Sequence, residues 1–134
     1  MPLLHEGELT FDFPAEGSDV AKYDEWSFFR NQFQTVCGGT KAIDFIFVEP
    51  QRTWLIEVKD YRRHPRTKIA VLADEVAAKI RDTLAGLAAC RCNANDETEQ
   101  QIAHRALSRA SIGVVLHLEQ LEERLHVRKA FRIA

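Results

Sequence analysis

Residues 41 to 60, KAIDFIFVEPQRTWLIEVKD, constrain the fold more than any other part of the chain. Two runs rich in Val, Ile, Phe, Leu and Trp flank Glu49-Pro50-Gln51-Arg52, a turn sequence in which the fixed φ of Pro50 suits a type I turn. The pattern reads as two buried strands joined as a hairpin. Both strands carry charge, with Asp44 in the first and Glu57 and Lys59 in the second. Burying a charge is costly unless it is paired or binds a metal, so strands like these have a use for their charges.

The turn also fixes the register. Centring it between Pro50 and Gln51 sets Val48 opposite Thr53, Ile46 opposite Leu55 and Asp44 opposite Glu57. Residues so paired have Cα atoms about 4.5–5.5 Å apart. The two-residue period then places Glu57 and Lys59 on the face of Asp44, with Trp54, Ile56 and Val58 on the other. Two adjacent carboxylates repel, and a divalent cation resolves the repulsion by binding both. Hard oxygen ligands suit Mg2+ or Mn2+, which accept phosphate oxygens as further ligands. Lys59, one side-chain step beyond Glu57, could offset the charge that grows on a phosphorus-centred transition state. The constellation suits phosphodiester hydrolysis.

Twelve Glu and six Lys in 134 residues make a Glu-x-Lys triplet a chance event in about one such chain in two, so the triplet alone carries nothing. The conjunction carries the signal: an apolar lead-in, a second apolar strand with its own acid, and a turn that opposes the two acids. The competing reading is a half-exposed hairpin whose charges form a cross-strand ion pair.

The other features set the frame. A chain of 134 residues with 46% hydrophobic residues and no shift in composition is expected to form a single domain over 1–134. The first twenty residues lack a basic start followed by an apolar run, and nowhere do eighteen apolar residues occur in a row. A cytoplasmic protein with no membrane partner is the expectation. Cys90, Cys92 and His104 offer three zinc donors without an obvious fourth, so the cysteines read as ordinary thiols. The net charge of −2 gives no global pull towards a polyanion, so nucleic-acid affinity would have to come from local clustering.

Leu9, Phe11 and Phe13 alternate as a short strand stopped by Pro14. Tyr23, Trp26, Phe29 and Phe33 predict a first helix, and Ile69, Leu72, Val76, Ile80, Leu84 and Leu87 a long second one from about Lys68. Within the second, Glu75 and Lys79 form an i,i+4 pair on its solvated side, and Gly86 marks a close approach to a neighbour. Asp96 and Glu99 make a capping box for a third helix with the stripe Ile102, Ala103, Ala106, Leu107 and Ala110. SIGVVLHLE follows as a strand covered on both faces, in which His117 reads as a satisfied core histidine. The basic tail from Arg124 fits strand or helix equally.

Asp44, followed after twelve residues by Glu57-Val58-Lys59, resembles the signature of the PD-(D/E)XK nuclease superfamily. The likeness covers residues 40 to 61 as sequence and 19 to 118 as order of elements. One departure is Ile43, where the motif has proline. The resemblance implies a three-layer α/β/α fold with a central mixed β-sheet, restriction-endonuclease-like, and a metal-dependent nuclease acting on DNA. It implies Asp44 and Glu57 as Mg2+ or Mn2+ ligands, the Val58 carbonyl as a further ligand and Lys59 as the catalytic lysine. Some members add a glutamate from the first helix, for which Glu25 is the better-placed candidate and Asp24 points away. Arg62, Arg63, Arg66 and Lys68, in the loop beyond Lys59, could grip phosphates. Cutting two strands calls for two sites, so a homodimer is also expected. The rival reading is a catalytically inactive subunit of the same fold that binds nucleic acid or a protein partner.

Overall fold

The computed structural model describes residues 3–14, 18–66 and 71–120, together with the backbone of 127–133. The chain runs β1 (Leu3–Glu6), β2 (Leu9–Asp12), β3 (Asp19–Ala21), a series of short turns, β4 (Phe45–Val48), β5 (Arg52–Asp60), α1 (Leu72–Asn93), α2 (Glu97–Leu107), β6 (Ser111–Glu119) and β7 (Val127–Ile133). It is a mixed α/β fold. Strands β3 to β7 form one sheet in sequence order, antiparallel throughout except for the parallel β5–β6 pair, whose connection is the α1–α2 helical hairpin. A parallel pair requires a long crossover, and the two helices supply it. The tail, ambiguous in sequence, takes the strand conformation as β7.

The alternation along β4 and β5 sorts their side chains between two cores. Ile46, Val48 and Leu55 meet Leu87 and Cys90 of α1 and Ala103 and Ala106 of α2. Phe45, Phe47, Ile56 and Val58 meet Phe13 and the partly buried Leu4, Leu9 and Phe11. Among the described residues, therefore, both helices lie on one face and the β1–β2 hairpin covers the other. The expectation of helices on both faces is corrected here, because the aromatic stripe of the N-terminal hairpin fills the place a second helical layer would take. The hairpin turns on Gly7 (φ 59), the first residue of a two-residue loop and the position at which a II′ turn needs glycine.

The expected first helix is also corrected. Tyr23–Glu25 is a 3₁₀ turn, Trp26 is extended, Phe29–Phe33 is a π turn, and Val36–Gly38 is another 3₁₀ turn. Glu99 of α2 explains the break: its carboxylate accepts from the backbone amides of Ser27 and Phe28, both at 2.9 Å, and so caps a new start there. The capping box is half made, since Asp96 accepts from the Glu99 amide at 2.9 Å while the Glu99 side chain is engaged elsewhere. The second helix starts at Leu72; its expected first residues, Lys68 and Ile69, lie outside the described residues. Cys90 is buried in the core and Cys92 is exposed, as fits ordinary thiols. No helix among the described residues is long and apolar enough to cross a membrane.

Candidate functional site

The β4–β5 register is the one the turn implies. Glu49 N donates to Arg52 O at 2.8 Å, and Val48, Phe47, Ile46 and Phe45 pair with Thr53, Trp54, Leu55 and Ile56. One step further along that ladder sets Asp44, in the bend just before β4, against Glu57. Asp44 is fixed from two sides. Its Oδ2 accepts from the Val58 amide at 2.8 Å, and the preceding chain is tied to α1, where Asp82 accepts from Lys41 N and Thr83 from Ile43 N, both at 3.0 Å. Asp82 thus helps to anchor the segment that carries Asp44.

Glu57 is 1% exposed and Asp44 8%. Burial, then the neighbouring Glu57 charge, push the Asp44 carboxyl up to about 7, with the Val58 amide and the Lys79 charge pulling the other way. Lys59 Nζ lies 3.4 Å from Glu57 Oε2 and 2.8 Å from Glu75 Oε1. Burial opposes its charge, but the Glu75 hydrogen bond and the two carboxylates outweigh it and hold its pKa above the ordinary value. The three charges converge as the register implies.

Four residues that the sequence did not place at the site join them: Glu75 and Lys79, expected on a solvated helix face, Asp24, expected to point away, and Glu6. Lys79 Nζ donates to Glu57 Oε2, and Glu75 is bound by Lys59 and, at 3.0 Å, by Arg66. Glu75 and Lys79 are one helical turn apart, so they share a face of α1; that face lies against β5 and not in solvent. Glu6 of β1 and Asp24 bring carboxylate oxygens that lie, with one from Asp44, all within 4.8 Å of one another. Burial and the charges of Asp44 and Glu6 raise Asp24 to about 6, and burial and Asp44 raise Glu6 as well. Asp24, not Glu25, is the acid that reaches the site. Glu25 points outward and pairs with Lys22 at 3.1 Å, because a three-residue turn followed by extended Trp26 does not continue the α-helical stripe. Among the described residues, Asp24 Oδ1 and Glu57 Oε1 are buried without a hydrogen-bond donor, as is Glu6 Oε1, which lies 3.5 Å from Lys22 Nζ; Glu57 itself stands outside the three-acid group.

The basic loop is engaged with nearby groups. Arg62 forms a two-pronged pair with Asp60 (2.9 and 2.7 Å), which lowers the Asp60 pKa, Arg63 reaches Glu8 at 3.1 Å, and Arg66 binds Tyr61 Oη at 3.1 Å as well as Glu75. Lys68 lies outside the described residues. His117 bonds Glu119 at 2.9 Å and meets the Phe11 ring edge-on, as a satisfied histidine would.

No protein-family profile matches the chain, and no solved structure matches it. It is 33% identical, over 150 aligned positions, to a cysteine--tRNA ligase of Neisseria meningitidis; the match takes in 89% of this chain and 21% of that protein. The chain thus spans about a fifth of the length of that curated relative.

Proposed function

We propose that the chain is a metal-dependent nuclease of restriction-endonuclease-like fold, hydrolysing phosphodiester bonds in DNA through Asp44, Glu57 and Lys59. The observation that carries this reading is the opposed pair Asp44 and Glu57, buried side by side, with Glu57 Oε1 lacking a donor and Asp24 and Glu6 close at hand. Acceptor-only oxygens brought together out of water need a proton or a cation between them. Carboxylates alone form a hard donor set, so the residues present fit Mg2+ or Mn2+. In support of the fold stands the order of a charged antiparallel hairpin, helices, and a strand parallel to the hairpin's second arm.

Asp44 and Glu57 would hold the cation, with Asp24 and Glu6 as further carboxylates and the Val58 carbonyl as the ligand implied by the resemblance. When bound, such an ion polarises a phosphodiester and acidifies water. The Val58 amide keeps Asp44 aimed inward, and Glu75 holds Lys59 at the edge of the pair, where its charge can face a phosphate. DNA follows from the resemblance; the partial likeness to a tRNA ligase puts tRNA beside it as a substrate to try.

The test is a panel of linear, nicked, single-stranded and four-way-junction DNA, with tRNA, in the presence of Mn2+. Wild type should cut at least one member, Asp44→Ala and Glu57→Ala should cut none, and the double variant should be no worse than either single one, because residues acting as a unit are non-additive. Wild type that leaves the whole panel intact would sink the proposal. That result would favour a non-catalytic subunit of the same fold, a reading supported by the two lysines that already neutralise Glu57.

A further inference from the structure

Resting on that reading, we infer that Lys79 is an internal counter-ion of the acid pair that competes with a divalent cation for the charge of Glu57, so that removing its ammonium strengthens cation binding. A glutamate 1% exposed is costly to keep charged without a partner, and α1 supplies one by direct contact of Lys79 Nζ with Glu57 Oε2. The Lys79 charge also bears on Asp44, so it serves both acids of the pair.

Lys59 cannot fill this role alone. Its nearer contact is Glu75 at 2.8 Å, against 3.4 Å to Glu57, and Arg66 holds Glu75 from the other side. Lys59 is therefore tied into a bridge between β5, α1 and the following loop. Lys79 has no second ion pair among the described residues, and its side chain is 21% exposed while that of Glu57 is 1%. It is the more exposed partner, with Glu57 buried beneath it, and a flexible four-carbon stem lets its ammonium swing into water without moving the helix. A divalent ion on the donor-free Glu57 Oε1 would stand close to the ammonium on Oε2, and the like charges repel, so the ion and the Lys79 contact oppose each other.

The test is Mn2+ affinity by titration calorimetry on the full chain, without nucleic acid. Lys79→Met keeps the stem and removes the charge; it should bind Mn2+ at least tenfold more tightly than wild type. Lys79→Arg retains the charge and should stay within about threefold of wild type. Lys59→Met, whose first partner is Glu75, should also change affinity by less than about threefold. If Lys79→Met proves unstable, circular dichroism with and without Mn2+ replaces the titration, and folding restored by the ion supports the inference. Mn2+ uptake by wild type with unchanged or weaker uptake by Lys79→Met would overturn the inference and leave the cation reading intact. Uptake by none of the four proteins would overturn both.

Discussion

Asp44 sets the chemistry of this chain through one number, a carboxyl pushed up to about 7 by burial and by Glu57. The folded state then binds the Asp44 proton more tightly than the unfolded chain, whose ordinary carboxyl titrates near 4. The resulting stabilisation is complete below about pH 4 and is lost as the pH rises through about 7. Asp24, raised to about 6, acts in the same direction over a narrower range. In chelator, wild type is therefore expected to melt at a lower temperature at pH 8 than at pH 5. Asp44→Asn should flatten that difference and melt at or above wild type at pH 8, because an amide oxygen still accepts from Val58 N while the repulsion is gone. Calorimetric scans at the two pH values decide it; wild type that melts higher at pH 8 would contradict the charge arrangement. The pairing of Asp44 with Glu57 was legible in sequence because a four-residue turn fixes every rung beyond it. Glu6, Asp24, Glu75 and Lys79 were not, since each arrives from an element whose position depends on packing against the sheet.

The elements divide along the same line. Helices α1 and α2 announced themselves through long apolar stripes and a capping pair, whereas Tyr23 to Gly38 kept a helical spacing of aromatics without forming a regular helix. What overrides the pattern is tertiary: Glu99 reaches across to cap Ser27 and Phe28, and Tyr23 is driven onto α1. The close approach expected at Gly86 is to that tyrosine. A Cβ on Gly86 would lie 2.0 Å from Tyr23 Oη and 3.2 Å from Cζ, and Tyr23 is fully buried between Trp26 and Phe29. The ring has nowhere to retreat, so Gly86→Ala should destabilise the protein by about 1–3 kcal/mol in urea unfolding. Tyr23 Oη is itself buried without a hydrogen-bond partner among the described residues, so Tyr23→Phe should cost little and should recover much of the Gly86→Ala loss. Equal losses for Gly86→Ala in the Tyr and Phe backgrounds would show that the hydroxyl is not what the glycine accommodates.

Across the whole molecule, the sheet is covered by unlike layers, and the thinner one bears on the site. Strand β3 has only three residues and β1, LLHE, carries no apolar alternation such as Leu9, Phe11 and Phe13 give β2, so the sequence showed β2 without its partner and no sign of what covers Phe45 and Phe47. The cover is a two-stranded ribbon, and a ribbon of that size holds its shape by packing rather than by its own hydrogen bonds. Phe13 packs on Phe45 and Phe47 with ring centroids 5.8 and 5.1 Å away, and Lys22 fastens the ribbon by donating to His5 O at 2.6 Å. Because β1 carries Glu6 to Asp24 and Asp44, the packing of an aromatic on one face should govern the carboxylates beside the start of β4. Phe13→Ala is expected to cost about 3–5 kcal/mol of stability. Hydrogen exchange should show β1 and β2 losing protection well before β4 and β5, since elements with few buried contacts open first. If Glu6 contributes to holding the cation, the same variant should bind Mn2+ more weakly although every carboxylate is still present, and Glu6→Gln should reproduce that weakening without the loss of stability. Mn2+ affinity that is indifferent to both changes would mean that the ribbon only covers the sheet and that Asp44 and Glu57 hold the ion without it.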